Sequence, residues 1–169
     1  MDKSVIKDIG IFKNRLLSLF LQSPELCELL LGAGYTDDDV YGKNEVDDDY
    51  GIVYKQIFPY LYIAGTQTEV LPYLCFEADI PAIPYREIKE LKITIWCCCH
   101  KDCMNYSKNG YLGTRVDIMA DMVERQLRES DILGIGKIAL NSVTYLNNIN
   151  DKYYGRQLLF TIPAFKINR

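Results

Sequence analysis

The chain has 169 residues, 49% of them hydrophobic, which is enough for one compact domain with a substantial core. A formal net charge of -4 and a pI near 5.0 argue against sequence-specific nucleic-acid binding, which typically relies on a basic surface with a pI above about 9. No apolar run approaches the roughly 20 residues of a membrane helix, so we expect neither a membrane anchor nor a signal peptide.

Two helices are predicted at the start of the chain. The first is amphipathic, because hydrophobic residues recur at helical spacing between polar ones. These residues are Val5, Ile6, Ile9, Phe12, Leu16, Leu17, Phe20 and Leu21. Ser23, Pro24 and Glu25 then have the composition of a helix start, with a capping side chain, a proline and an acid. They predict a short second helix from Leu26 to Leu31 that ends at Gly32.

An acidic segment follows, with one run of three aspartates at 37–39 and another at 47–49. We interpret residues 33–50, approximately, as an exposed loop. The two runs lack the alternating acids, the glycine and the terminal glutamate of an EF-hand, so a calcium site is not favoured.

The residues after this segment favour strands. Three runs are rich in apolar and β-favouring side chains: Gly51–Phe58, Tyr60–Ala64 and Thr68–Asp79. Because proline cannot donate to a central ladder, Pro59 and Pro72 predict a sheet edge, a bulge or a strand end. Residues 81–84, with two further prolines, predict a stiff connection into the next strand.

The segment Leu91–Tyr106, LKITIWCCCHKDCMNY, contains four of the six cysteines. Its two-residue period predicts a strand whose cysteines act as small apolar residues. One face carries Leu91, Ile93, Ile95, Cys97 and Cys99, and the other carries Lys92, Thr94, Trp96, Cys98 and His100. Adjacent strand residues point to opposite faces, so three consecutive cysteines do not form a disulfide framework. Folding in a reducing compartment is indicated.

Two chemical alternatives concern the same segment. Cys97, Cys99, His100 and Cys103 could supply four zinc ligands, although their spacing is poor and no second cysteine pair follows. A cysteine nucleophile would need His100, the only histidine, yet Cys99 lies on the opposite sheet face and only Cys103 remains possible. We expect packing with an exposed His100, and we assign no catalytic, cofactor-binding or metal-binding residue.

A central helix and a C-terminal β-hairpin complete the chain. Thr114 and Asp117 have capping-box spacing at the helix start. The predicted buried face carries Val116, Met119, Ala120, Val123 and Leu127. The hairpin runs from Ile138 through a turn-rich tip at 147–151 to an alternating strand near Ile162. The prediction is a single α+β domain over 1–169, with a mixed or antiparallel sheet packed by the N-terminal and central helices.

The whole pattern resembles the small neck and tail-completion proteins of long-tailed bacteriophages, and the tail terminators most closely. The resemblance rests on the N-terminal helix, Phe58-Pro59-Tyr60, KITIWCCCH, RVDIMADMVERQL and the final YYGRQLLFTIPAF. It covers most of the chain, but these families have no diagnostic catalytic motif.

This resemblance implies a non-enzymatic virion protein, assembled in the host bacterial cytoplasm. Its subunits would form a ring, expected to be a hexamer, between the tail tube protein and the head-side connector protein. DNA would pass through the lumen without sequence recognition, and an acidic chain would not hold the phosphates. The alternative is a small intracellular metal-binding or thiol-dependent protein centred on Cys97–Cys103.

Overall fold

A computed structural model of the chain describes residues 4–43, 49–85, 88–130 and 133–166. The helices are α1 (Val5–Leu21), α2 (Pro24–Leu31), α3 (Asp37–Tyr41) and α4 (Arg115–Glu129), with a 3-10 turn at Lys101–Cys103. The strands are β1 (Ile57–Phe58), β2 (Pro72–Tyr85), β3 (Ile88–His100), β4 (Ala139–Asn150) and β5 (Tyr153–Lys166).

The five strands form one mixed sheet in the order β1-β2-β3-β5-β4. The short β1 runs parallel to β2, and every other neighbouring pair is antiparallel. The α+β prediction is therefore confirmed, including the N-terminal helix, the central helix and the C-terminal hairpin. β3 lies in the middle, and β4 is the last strand on one side.

The main core lies between the helices and one face of the sheet, which we call the helix-bearing face. Helices contribute Phe12, Leu16 and Phe20 from α1, Leu26, Leu29 and Leu30 from α2, and Ile118, Met119, Met122, Val123 and Leu127 from α4. Strands contribute Leu74, Phe76, Leu91, Ile93, Ile95, Cys97, Leu158, Phe160 and Ile162. The alternation predicted for β3 is confirmed, because Cys98 packs on the other face with Tyr73 and Tyr153.

The region between α3 and β2 differs from the prediction, because most of residues 51–71 form turns, bends and irregular segments and only Ile57–Phe58 form a strand. Gly51 and Tyr54 both have positive φ, which reverses the chain instead of extending it. The amide of Tyr54 donates to the carbonyl of Ile57 at 2.9 Å, closing this turn. The aromatic residues that favoured strands in this region instead pack their rings against one another.

The predicted connection at 81–84 is instead part of β2, which continues to Tyr85. The pairing of β2 with β3 shifts register between Asp79 and Ala82, and again between Ala82 and Tyr85. These irregularities accommodate Pro81 beside a strand. Pro72 is the first residue of β2 and Pro59 follows β1, so both prolines lie at strand ends, one of the three placements that the sequence left open.

The acidic segment also differs from the predicted loop, because Asp37–Tyr41 form the short helix α3. The amide and hydroxyl of Thr36 both donate to the Asp39 carboxylate, at 2.7 and 2.8 Å. Val40 is buried, whereas Asp37 and Asp38 are exposed. Acids in the first turn favour a helix by opposing its positive end. Residues 44–48, which include Asp47 and Asp48, lie outside the described residues.

The predicted capping pair of α4 is confirmed: the amide and hydroxyl of Thr114 donate to Asp117 Oδ2 at 3.0 and 2.7 Å. Asp117 Oδ1 accepts from Arg156 Nε on β5 at 2.8 Å. Burial alone would raise the pKa of Asp117, but the Thr114 hydrogen bonds and Arg156 together lower it below its ordinary 3.8. One carboxylate thus ties α4 to the sheet.

Asp117→Ala is expected to lower the free energy of unfolding by about 1–2 kcal/mol at pH 7, because a helix cap and a charged hydrogen bond are lost. A carboxyl whose pKa is lowered in the folded state stabilises the protein at pH values above its pKa in the unfolded state. The difference from wild type should therefore vanish as the pH falls through the folded value, below 3.8. Urea denaturation of both proteins at a series of pH values measures this difference in the free energy of unfolding. Asp121→Ala, which removes an exposed ion pair with Arg125, should cost under about 0.5 kcal/mol. A pH-independent loss at Asp117 would contradict the account.

Candidate functional site

The three consecutive cysteines of β3 are fully buried, and all six cysteines of the chain are free thiols. Burial raises the pKa of the Cys97 and Cys98 thiols well above the ordinary 9.0. Burial, and then the neighbouring Cys103, raises the pKa of Cys99 in the same way. The thiolate is the nucleophilic and metal-binding form, so these thiols are held in their unreactive form.

His100 is 4% exposed, which corrects the expectation that it lies at the surface. Its Nδ1 accepts a hydrogen bond from the amide of Asp102 at 3.1 Å, and its ring meets the Tyr153 ring edge-on at 5.3 Å. Cys103 Sγ donates to the backbone carbonyl of His100, at 3.3 Å, and not to the imidazole. The imidazole therefore has a structural role at the end of β3.

The structure does not assemble the zinc ligands considered above. Within the described parts of the chain, no group of three or more His, Cys, Asp or Glu side chains is placed to hold a metal ion. Cys97 lies in the main core, on the helix-bearing face, whereas His100 packs against Tyr153 on the other face. A strand separates successive side chains in this way, so sequence neighbours do not converge on one ion.

Thiol labelling should reflect this burial. In the folded protein at pH 7.5, an aromatic disulfide reagent is expected to modify Cys103 rapidly, because it is the one cysteine that is not buried. All six cysteines should react after denaturation. The absorbance of the thiol released from the reagent measures how many cysteines react before and after denaturation. Cys103→Ser should remove the fast phase, and rapid modification of two or more thiols in the folded wild type would contradict the account.

A second buried cluster lies on the sheet face opposite the helices, where residues 58–71 cross over the ends of β2, β3 and β5. Tyr73, Cys98 and Tyr153 form its centre, with Phe58, Ile63, Leu71 and Trp96 against them. The Tyr153 hydroxyl donates to the Glu69 carbonyl, and the Cys98 thiol donates to the Tyr73 carbonyl at 3.6 Å. This cluster explains why Cys98 and His100, on the face of β3 opposite the helices, are buried.

Four exposed tyrosines extend outward from this cluster: Tyr50, Tyr54, Tyr60 and Tyr62. Their rings contact in sequence, with centroids 6.2 Å apart for Tyr50 and Tyr54, 6.3 Å for Tyr54 and Tyr60, and 6.2 Å for Tyr60 and Tyr62. Exposed aromatic side chains that pack on one another are typical of protein contact surfaces. The sequence pattern alone does not locate this surface.

A small acidic cavity of about 280 Å³ lies beside α3. Asp38, Asp39, Asp49, Lys43 and Lys55 contribute to its lining. Lys55 Nζ donates to Asp49 at 2.8 Å and lowers the pKa of that carboxyl, and the hydrogen bonds from Thr36 lower the pKa of Asp39. Both carboxylates thus have partners within the protein.

The outer strand β4 carries three exposed, largely apolar side chains. Leu140, Val143 and Tyr145 are 38%, 49% and 57% exposed. They lie opposite Phe160, Leu158 and Arg156 of β5. Phe160 and Leu158 belong to the main core, so the three side chains continue the helix-bearing face beyond the helices. We call them the β4 stripe.

Comparison with known proteins supplies a family but no further relative. No curated protein and no solved structure shows a significant match to the chain. Among the residues that the structure describes, none of the helices has the length and hydropathy of a membrane span. The family model YomW matches residues 23–162, which include α2–α4, β1–β4 and most of β5. The chain therefore belongs to the YomW family, which is phage-associated.

Proposed function

We propose that this chain is a non-enzymatic virion assembly protein, a tail terminator at the head-tail junction. Copies of the chain form a ring, a hexamer in this proposal, on the end of the tail tube. The tail tube protein and the head-side connector protein are its partners on the two sides of the ring. DNA passes through the lumen without sequence recognition. Assembly takes place in the host bacterial cytoplasm, and the finished protein resides in the virion.

The observation that carries this proposal is the match to a phage-associated family over residues 23–162. The match includes the central strands of the sheet and α4, so it concerns the folded domain and not a terminal segment. Four elements on which the resemblance to tail terminators rests occur in the same order in the structure: the N-terminal helix α1, strand β3, helix α4 and the C-terminal hairpin. Family membership supports a phage role, and the element order supports the terminator among phage roles.

The buried chemistry supports an assembly role over an enzymatic one. The thiols of Cys97, Cys98 and Cys99 have raised pKa values, and His100 is enclosed by packing. A cysteine nucleophile needs an exposed thiolate beside an oriented base. The net charge of -4 suits a channel for DNA, because a basic lumen would bind phosphates and slow their passage.

A ring of identical subunits needs two different surfaces on each subunit, which contact one another around the rotation axis. The β4 stripe and the exposed tyrosines are separate surfaces on this chain. They lie near opposite ends of the strand order, since the tyrosines surround β1 and the stripe lies on β4. This separation supports a closed ring, which needs subunit contacts in different directions.

The test is the mass of the purified protein by light scattering over a hundredfold concentration range, alone and with purified tail tubes. We expect either a closed ring in solution or a monomer that forms one on the tubes. Metal analysis of the same sample separates the thiol-dependent or metal-binding alternative. A monomer that carries near-stoichiometric zinc, unfolds on chelation and never joins tubes would contradict the proposal.

A further inference from the structure

We propose that β4 is the surface through which one copy of this chain contacts the next, by pairing of its free edge with a strand of the second copy. This inference rests on the proposed function, because it names the surface that the ring would use. Among the described residues, β4 pairs with β5 on one side and is the last strand of the sheet. Its outward backbone groups are therefore available to another strand.

An irregularity in the pairing of β4 with β5 produces the β4 stripe. Strict alternation would place Leu140 and Val143 on opposite faces, because they are three residues apart. The register shifts between Leu140 and Ser142, so Leu140 lies opposite Phe160 while Val143 lies opposite Leu158. The extra residue brings both side chains to the helix-bearing face. Tyr145 joins them there, stacked on Tyr154 with ring centroids 6.4 Å apart.

The two edges of the sheet differ in protection against strand pairing. At the other edge, β1 covers Leu74 and Cys75 of β2, and Pro81 with two register shifts interrupts the remainder. β4 contains neither a proline nor a charged residue over its 12 residues, Ala139–Asn150. Prolines and charges are two of the features by which sheet proteins block unwanted pairing. β4 has neither, and between its own two register shifts it pairs regularly with β5 from Ser142 to Leu146. This regular, uncharged part of the edge is the part that we expect to be used.

The chemistry of β4 favours a second copy as the partner. Each copy has a formal net charge of -4, so two copies repel one another overall. Residues 138–150 form a run of 13 uncharged residues, and contact through this run places no like charges opposite one another. The neighbouring subunit would bury the β4 stripe, and the outward backbone N–H and C=O groups of β4 would form hydrogen bonds with it.

The experiment compares Val143→Lys with Leu112→Lys, a matched lysine substitution at a residue that is 91% exposed and distant in sequence from β4. Wild type and Leu112→Lys should assemble alike in solution or on tail tubes. Val143→Lys should weaken self-association by about tenfold or more, because the lysine enters the contact. Tyr145→Lys, at the other end of the stripe, serves as a second variant if Val143→Lys does not fold. Circular dichroism checks folding.

Hydrogen exchange locates the contact. Protection of β4 amides should increase in wild type under the conditions in which the ring forms, in solution or on tail tubes, and should not increase in the folded stripe variant. Normal assembly of that variant would overturn the inference while the proposed function stands. Protection of β4 amides by tail tube protein or connector to which the chain binds singly, without forming a ring, would overturn the second copy as the partner. Self-association through β4 by a protein that never joins tubes would leave this contact standing and refute the terminator role.

Discussion

Asp8→Ala is expected to lower the free energy of unfolding by about 3–5 kcal/mol, because it leaves a buried lysine without its counter-ion. Asp8 on α1 forms an ion pair with Lys89 at the start of β3, and the two side chains are 5% and 8% exposed. Charges removed from water at this depth are stable only in the presence of an opposite charge. Urea denaturation at pH 7, followed by circular dichroism, measures the loss.

Two further variants test this explanation. The double variant Asp8→Leu/Lys89→Met should recover most of the stability, since it buries apolar atoms and no charge. Arg128→Ala removes a partner from the exposed pair with Glu124, which spans 3.4 Å, and should cost less than about 0.5 kcal/mol. A loss for Asp8→Ala no larger than that for Arg128→Ala would show that the buried pair does not hold α1 on the sheet.

Gly155→Ala is the second large expected effect, with a loss of about 3 kcal/mol from overpacking between the two central strands. A Cβ at Gly155 would lie 2.4 Å from the carbonyl oxygen of Cys97, and 2.7 and 2.9 Å from Cβ and Cα of Cys98. These atoms belong to the backbone of β3 or are attached directly to it. No flexible side-chain end can move aside, so β5 itself must shift. Thermal and urea denaturation both measure the effect.

Gly10→Ala is the matched control for Gly155→Ala. Gly10 lies inside α1, and a Cβ there would meet nothing within 4 Å. The same substitution should raise stability by about 0.5–1 kcal/mol, because alanine loses less conformational freedom in a helix. Equal effects of the two alanines, in either direction, would contradict the close approach of β5 to β3.

The helices and the two faces of β3 were predictable because each depends on a local period. The hydrophobic residues of α1 and α4 recur at helical spacing, and Leu91 to His100 alternate over a full strand. Capping residues also act locally, and Ser23 and Thr114 mark the starts of α2 and α4 as expected. Ile6 is the exception within α1, since it is 75% exposed and lies on the side of the helix opposite the buried residues, which recur every four positions from Asp8 to Phe20.

Features that depend on distant partners were not predictable. His100 is buried because Tyr153 and residues 58–71 cover its end of the sheet. The buried Asp8 forms its ion pair with Lys89, which is 81 residues away in the sequence. The continuation of β2 through Pro81 depends on register shifts that only the pairing with β3 reveals. Periodicity describes one segment at a time, so it cannot show which surface another segment covers.

The candidate assembly surface shows the same limit. Leu140, Val143 and Tyr145 were recognised as hairpin residues, but their sequence spacing does not place them on one face. The register shift beside Leu140 does so, and the strand order makes β4 an edge. The cysteines suggested chemical hypotheses from the sequence, whereas the candidate assembly surface lies on a strand with no cysteine, histidine or charged residue.

Electron microscopy of purified tail tubes, incubated with the protein and then with fresh tube subunits, tests the terminator role most directly. A ring should appear at one end of each tube, and that end should no longer grow, because a cap covers the surface on which the next subunit would bind. Growth at the opposite end is the internal control. Tubes that lack a ring and extend equally at both ends, at protein concentrations where the chain is folded, would contradict the account.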